Sequence, residues 1–159
     1  MKKALTIMLI TVLAVSFVFA QDEAVKMDAG LRGGWRSGVT GRYFLSESNC
    51  TEVLLTSRGW SGLILTGMYQ WHKPLSLGEI ENLSWFFGGG LHVGYWVSGS
   101  VYGSDLALGV DAIAGVEYDL EPLIEFPLSV SLDYKPGFDI FGKWAGTFAD
   151  VAMSVRYTF

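Results

Sequence analysis

The chain of 159 residues is about one domain's worth, and its 11 basic against 16 acidic residues give a formal net charge of −5. That balance argues against nucleic acid or anionic lipid as a binding partner. A single cysteine, Cys50, excludes an internal disulfide and a cysteine metal cluster, and beyond residue 20 no apolar run is long enough for a transmembrane helix.

Met1, Lys2 and Lys3 make a charged start, residues 4–19 are apolar, and Val18-Phe19-Ala20 before Gln21 forms an acceptable cleavage site. Residues 1–20 are therefore expected to be a secretory signal peptide and 21–27 a mobile lead-in, with an uncleaved anchor as the alternative. Without Lys2 and Lys3 the mature chain keeps 9 basic residues against 16 acidic ones, close to −7. Half of all residues are hydrophobic and 14% are aromatic. Lacking a spanning helix, the chain must spread those side chains along strands.

The rest reads as eight strands, at 28–36, 39–45, 51–58, 60–71, 83–97, 105–120, 127–141 and 148–159. They are joined by a tight turn at Ser37 and Gly38, turns at 46–49, 72–82 and 121–126, and loops at 98–104 and 142–147. Side chains alternate with period two. In the sixth strand Leu108, Val110 and Val116 share one face, and Asp111, Glu117 and Asp119 the other. In the seventh, Leu128, Val130 and Leu132 alternate with Ser129, Ser131 and Asp133. In the last, Val151, Met153 and Val155 oppose Asp150, Ser154 and Arg156. The pattern is weakest at 84–97, where Phe86 and Trp96 fall on the polar face.

Aromatic residues gather near strand ends. Trp71, Trp85, Tyr118, Tyr157 and Phe159 fall at one edge, with Trp35, Tyr95 and Tyr134 nearer the other. Two such belts are what interfacial rings form. The expected fold is all-β, an eight-stranded antiparallel up-and-down transmembrane β-barrel over 28–159, located in the cell outer membrane. A soluble lipocalin-like barrel has the same strand count but the opposite polarity, with apolar residues inside.

By the same parity Asp28, Arg32, Arg36, Arg42, Glu52 and Arg58 point inward, as do Asp111, Glu117, Asp119, Asp133, Lys135, Asp150 and Arg156. The two signs nearly cancel, as a narrow lumen requires, because a buried charge without a partner is costly. A last hairpin centred between Trp144 and Ala145 sets Asp133 opposite Arg156. Glycines at 88, 90 and 94 face the same lumen and would leave volume for arginine side chains. Eight strands enclose a space that their own side chains can fill. The charges are therefore expected to fix strand register, with a gated ion path as the functional alternative.

Candidates for chemistry are few. His72 sits beside the 72–82 turn, while His92 faces inward and approaches Asp111 across a hairpin as an interior pair. Cys50 is isolated, and the histidines are 20 positions apart, so no metal-ligand spacing appears. Gly88-Gly89-Gly90 precedes no helix and is not a phosphate loop. No catalytic, cofactor or metal site is expected.

The final run through Tyr157, Thr158 and Phe159 resembles the closing strand of bacterial outer-membrane barrels, whose terminal aromatic is read by the barrel-assembly machinery. That likeness makes Phe159 the expected assembly signal. Three further stretches are Gly41-Arg42-Tyr43-Phe44-Leu45-Ser46-Glu47, Trp85-Phe86-Phe87-Gly88-Gly89-Gly90-Leu91-His92-Val93-Gly94 and Leu128-Ser129-Val130-Ser131-Leu132-Asp133-Tyr134-Lys135-Pro136. They resemble the small eight-stranded outer-membrane proteins of the OmpA/OmpX type, in a Bacteroidetes-like branch. The expected protein is a monomeric, non-enzymatic envelope component or very narrow passage. Its partners are outer-membrane lipids and, during biogenesis, periplasmic chaperones and the barrel-assembly machinery. Competing readings are a lipid A acyltransferase or deacylase, and a surface binding module using loop 98–104.

Overall fold

The computed structural model describes residues 26–57, 62–76, 78, 81–96, 105–142 and 147–159. The expected signal peptide, most of the lead-in, Arg58 and loop 98–104 lie outside the described residues, as do 143–146 and the side chain of Trp96. The strands are β1 (Met27–Gly34), β2 (Ser37–Ser46), β3 (Asn49–Ser57), β4 (Gly62–Pro74), β5 (Leu83–Trp96), β6 (Asp105–Asp119), β7 (Leu128–Phe141) and β8 (Thr147–Thr158). Each pairs antiparallel with the next, and β8 pairs with β1, so the sheet closes into a barrel. A closed sheet leaves no edge with unpaired backbone groups. We call the rim that carries the turn at Glu47 and Ser48, the 75–82 connection and the β6–β7 connection the lower rim.

Three of the differences from the sequence reading have a local reason. Met27, placed in the lead-in, opens β1 opposite Tyr43. The first turn centres on Trp35 and not on Ser37 and Gly38, since Arg32 pairs with Gly38 and Asp28 with Arg42. Directly paired residues share a face, so inward Arg36 and outward Val39 cannot be partners, as the expected turn would have required. β4 runs on through His72 and Lys73 to Pro74, paired with Phe86, Trp85 and Ser84. Lys73 and Pro74 look like turn punctuation, yet a proline can close a strand where its missing N–H is not needed. At the lower rim Ser46 Oγ accepts from the backbone N–H of Ser48 (3.3 Å) and Asn49 (3.1 Å), which holds that turn to two residues.

Between β6 and β7 the chain makes a four-residue helix, α1 (Glu121–Ile124), where the sequence reading placed a turn. Leu123, Ile124 and Phe126 there are exposed. The Phe126 ring packs against Tyr157 at 5.4 Å, and Tyr157 meets Phe159 edge-on at 5.0 Å.

The polarity is that of a soluble protein turned inside out. Among the described residues the largest fully buried side chains include Arg32, Arg156 and Lys135. Leu31, Val53, Leu91, Leu132 and Met153 are each more than half exposed. Leu108 and Val155 also point outward, not into an interior. The belt residues Trp35, Trp71, Trp85, Tyr95, Tyr134 and Tyr157 are exposed, and Tyr118 is half-buried. On the lower part of β4 and β5, Tyr69, Trp71, Phe87 and Trp85 form a continuous ring contact at 4.8, 5.5 and 5.3 Å, with the Lys73 ammonium 5.8 Å from the Trp85 ring.

An outward face in hydrocarbon makes a sharp demand. Leu91→Arg, midway along β5 and 67% exposed, should lower folding stability in phospholipid vesicles by about 2–4 kcal/mol. At a water-exposed site the same change would stay within about 0.5 kcal/mol. Denaturant titration of vesicle-folded protein distinguishes the two.

Candidate functional site

The inward faces of the eight strands meet in the lumen, and their side chains sort into three polar groups and one apolar group. The first polar group fills the lower half. Arg42 on β2 lies across from Asp28 on β1, and its Nε donates to both carboxylate oxygens at 3.0 and 2.9 Å. The same guanidinium reaches Glu117 on β6, with Nη2 donating to Oε1 at 3.0 Å. Glu117 Oε2 also lies 3.3 Å from Arg156 Nη1 on β8. Arg156 then donates to Ser131 Oγ at 2.7 Å and to Glu52 Oε1 at 3.0 Å. Glu52 completes the chain by accepting from Thr40 Oγ1 at 2.5 Å and from the Gln70 amide N–H.

The second group lies nearer the upper rim. Arg32 grips Asp133 with both terminal nitrogens, at 2.5 and 2.7 Å, and touches Asp150 at 3.3 Å. Asp150 also accepts the backbone N–H of Arg36 at 3.3 Å. A two-pronged guanidinium–carboxylate fit is the strongest form such a pair takes. In the third group Asp111 receives Lys135 Nζ at 2.9 Å and His92 Nδ1 at 2.7 Å, and His92 Nε2 meets Asp139 Oδ1 at 2.7 Å. An ionised carboxylate only accepts hydrogen bonds, so with both aspartates ionised each ring nitrogen carries a proton. The imidazole then has no lone pair with which to act as a base.

The apolar group is Leu54, Met68, Phe86 and Ile113, all buried, on β3 to β6. Phe86, one of the two residues that break the sequence alternation, is fully buried in it. Glycine makes room for these inward rings. A Cβ on Gly115 would lie 2.6 Å from the Phe86 ring, and one on Gly109 would lie 2.7 Å from His92 Nε2. A Cβ on Gly88 would come within 2.9 Å of the Gln70 side chain. Gly88, Gly109 and Gly115 thus leave room for an amide and two rings, and Gly90 lies against the backbone of Gly67, where the sequence reading gives β5 glycines to arginines.

Arg32, Arg42, Glu52, His92, Asp111, Asp133, Lys135 and Arg156 are buried, and the side chain of Glu117 is 13% exposed. The expected partnership of Asp133 with Arg156 is not formed. Asp133 stands opposite Ala152, and Arg156 stands opposite Ser129. Sliding one strand by four residues leaves every side chain on its own face, so alternation could not separate the two registers. Gly142, at φ 129° in a region that favours glycine, directly follows β7, and the β7–β8 register centres two residues earlier than expected. Asp139 and the Thr40, Gln70 and Ser131 links were missed as partners although their parity was readable. His72, expected beside the 72–82 turn, is a buried inward residue of β4.

No protein-family model matches the chain, and no curated protein matches it. Solved structures do share the fold. The N-terminal β-barrel domain of Pseudomonas aeruginosa OprF is 14% identical with a TM-score of 0.62, over 85% of this chain and 96% of that one. Neisserial surface protein A is 10% identical with a TM-score of 0.54, over 85% and 96%. A structure from the de novo design of transmembrane β-barrels is 17% identical with a TM-score of 0.55, over 87% and 98%. At these identities the likeness is one of architecture.

The Arg32–Asp133 grip supplies a test of the lumen. Arg32→Ala and Asp133→Ala should each cost about 3–5 kcal/mol, because each strands a buried charge. The double variant should lose less than the sum by about 0.5–3 kcal/mol. Equilibrium unfolding in vesicles reads both quantities, and additive losses would mean that the pair does not form.

Proposed function

We propose that this chain is an integral outer-membrane β-barrel of the OmpA/OmpX type, exported by its first 20 residues, that serves the envelope as a closed, structural element. The observation that carries this reading is the lumen itself. Arg32, Glu52, Lys135, Asp150 and Arg156 are fully buried, and they are tied to partners on strands across the barrel. A lumen filled by mutually paired charges and an apolar cluster offers solutes no continuous water column. Apolar outward faces and two aromatic belts support the bilayer setting.

The lipid-modifying alternative has one feature in its favour, the bracketing of His92 by Asp111 and Asp139 toward the upper rim. Both ring nitrogens are committed to carboxylates, which speaks against a catalytic base. Membrane fractionation combined with gel mobility before and after boiling tests location and barrel together; a chain found in the soluble fraction overturns the proposal. Purified protein should give no discrete currents in planar bilayers, and resolved unitary currents would establish a passage instead. Lipid A from cells with and without the gene should have the same acyl pattern by mass spectrometry. A changed pattern would make the protein an enzyme.

A further inference from the structure

Three donor atoms of different chemistry converge low in the lumen, at the margin of the first polar group. Cys50 on β3 stands directly opposite Gln70 on β4, and His72 follows two residues along the same inward face. Cys50 Sγ lies 3.4 Å from His72 Nε2 and 3.6 Å from Gln70 Oε1, and the nitrogen and oxygen are 3.3 Å apart. Cys50 and Gln70 are fully buried, and His72 is 7% exposed beside the lower rim.

Hydrogen bonding accounts for two edges of this triangle. The amide oxygen is an acceptor only, the thiol brings one proton, and the ring nitrogen brings at most one. Both can go to the amide oxygen, which leaves the 3.4 Å sulfur–nitrogen edge as a contact with no proton of its own. The amide cannot turn over to supply another, because its N–H is held by the Glu52 carboxylate. That contact aims Oε1 at the sulfur and the imidazole. The ring is fixed as well, stacked on Phe86 at 5.1 Å and tilted against Phe44 at 5.7 Å.

A cation answers the same geometry. The point equidistant from the three atoms lies about 2.0 Å from each, the length of a zinc–nitrogen or zinc–oxygen bond and a little under a zinc–sulfur bond. At tetrahedral angles those bond lengths separate S from N by about 3.5 Å, S from O by about 3.6 Å and N from O by about 3.4 Å. The observed edges match all three. We propose that Cys50, His72 and Gln70 form a binding site for a thiophilic divalent cation of the zinc class, entered from the lower rim. On binding, the thiol proton leaves to solvent, and the imidazole stays neutral with its proton on Nδ1. Glu52 is the positioning residue, since it orients the amide without touching the metal. Among the described residues no three His, Cys, Asp or Glu side chains meet as a metal cluster, so the third donor here must be an amide.

The test uses untagged, detergent-folded protein and the metal alone. One equivalent of Co2+ should produce a thiolate-to-cobalt charge-transfer absorption, and Zn2+ should bleach it. Cys50→Ala and His72→Phe should each weaken Zn2+ binding by about 100-fold or more in calorimetry. Both should keep the heat-modifiable band, because neither residue belongs to an ion pair. A wild-type cobalt spectrum without the thiolate band overturns the site, as does unchanged Zn2+ affinity in the Cys50 variant. If a variant does not fold, the wild-type spectrum and its bleaching by zinc decide alone.

Discussion

The structure depends on one constraint: charges taken out of water inside a narrow tube must find each other there. Arg32 meets Asp133 across 101 residues of chain, and Arg156 meets Glu52 across 104. These pairs join the first three strands to the last two, so they cannot form until the sheet has closed on itself. A barrel left open at the β1–β8 seam would hold the same ions without partners, a state costing several kcal/mol for each. Closure and neutralisation are therefore one event. The network makes correct closure the state in which each ion has its partner, and a slipped register would separate them.

The lumen is divided, not uniformly polar. Ionic side chains come mainly from β1, β2, β7 and β8, while the buried apolar cluster comes from β3 to β6. Glu52 and Glu117, on β3 and β6, stand at the border and take the guanidiniums that reach across. This division lets a small cross-section hold long cations on one side without crowding. Those side chains lie at length across the lumen, and Phe86 and its neighbours occupy what is left.

Alternation along the strands was enough to read strand number, closure and the face of nearly every charged residue, because a period of two is imposed by backbone geometry alone. Register was not legible. A slip of four residues, as between Asp133 with Arg156 and Asp133 with Ala152, conserves every face, so alternation cannot decide it. His72 was lost for a different reason, since Lys73 and Pro74 imitate a turn while the pairing with β5 continues through them. Cys50 looked isolated because its neighbours are lateral. Gln70 and His72 are 20 and 22 positions away in sequence but adjacent across one ladder. Spacing rules that find metal ligands along a helix or loop do not look sideways across a sheet.

The wall of the barrel is uneven in height. β1 has 8 residues and β7 has 14, which at ordinary strand rise and tilt is about 20 Å against about 35 Å along the axis. Greasy side chains continue beyond β7 at its lower end, through Phe126 to Leu123 and Ile124, and they reach Phe141 at its top. Strand length thus gives the β7 flank, with α1 at its foot, a taller apolar band than the β1 flank.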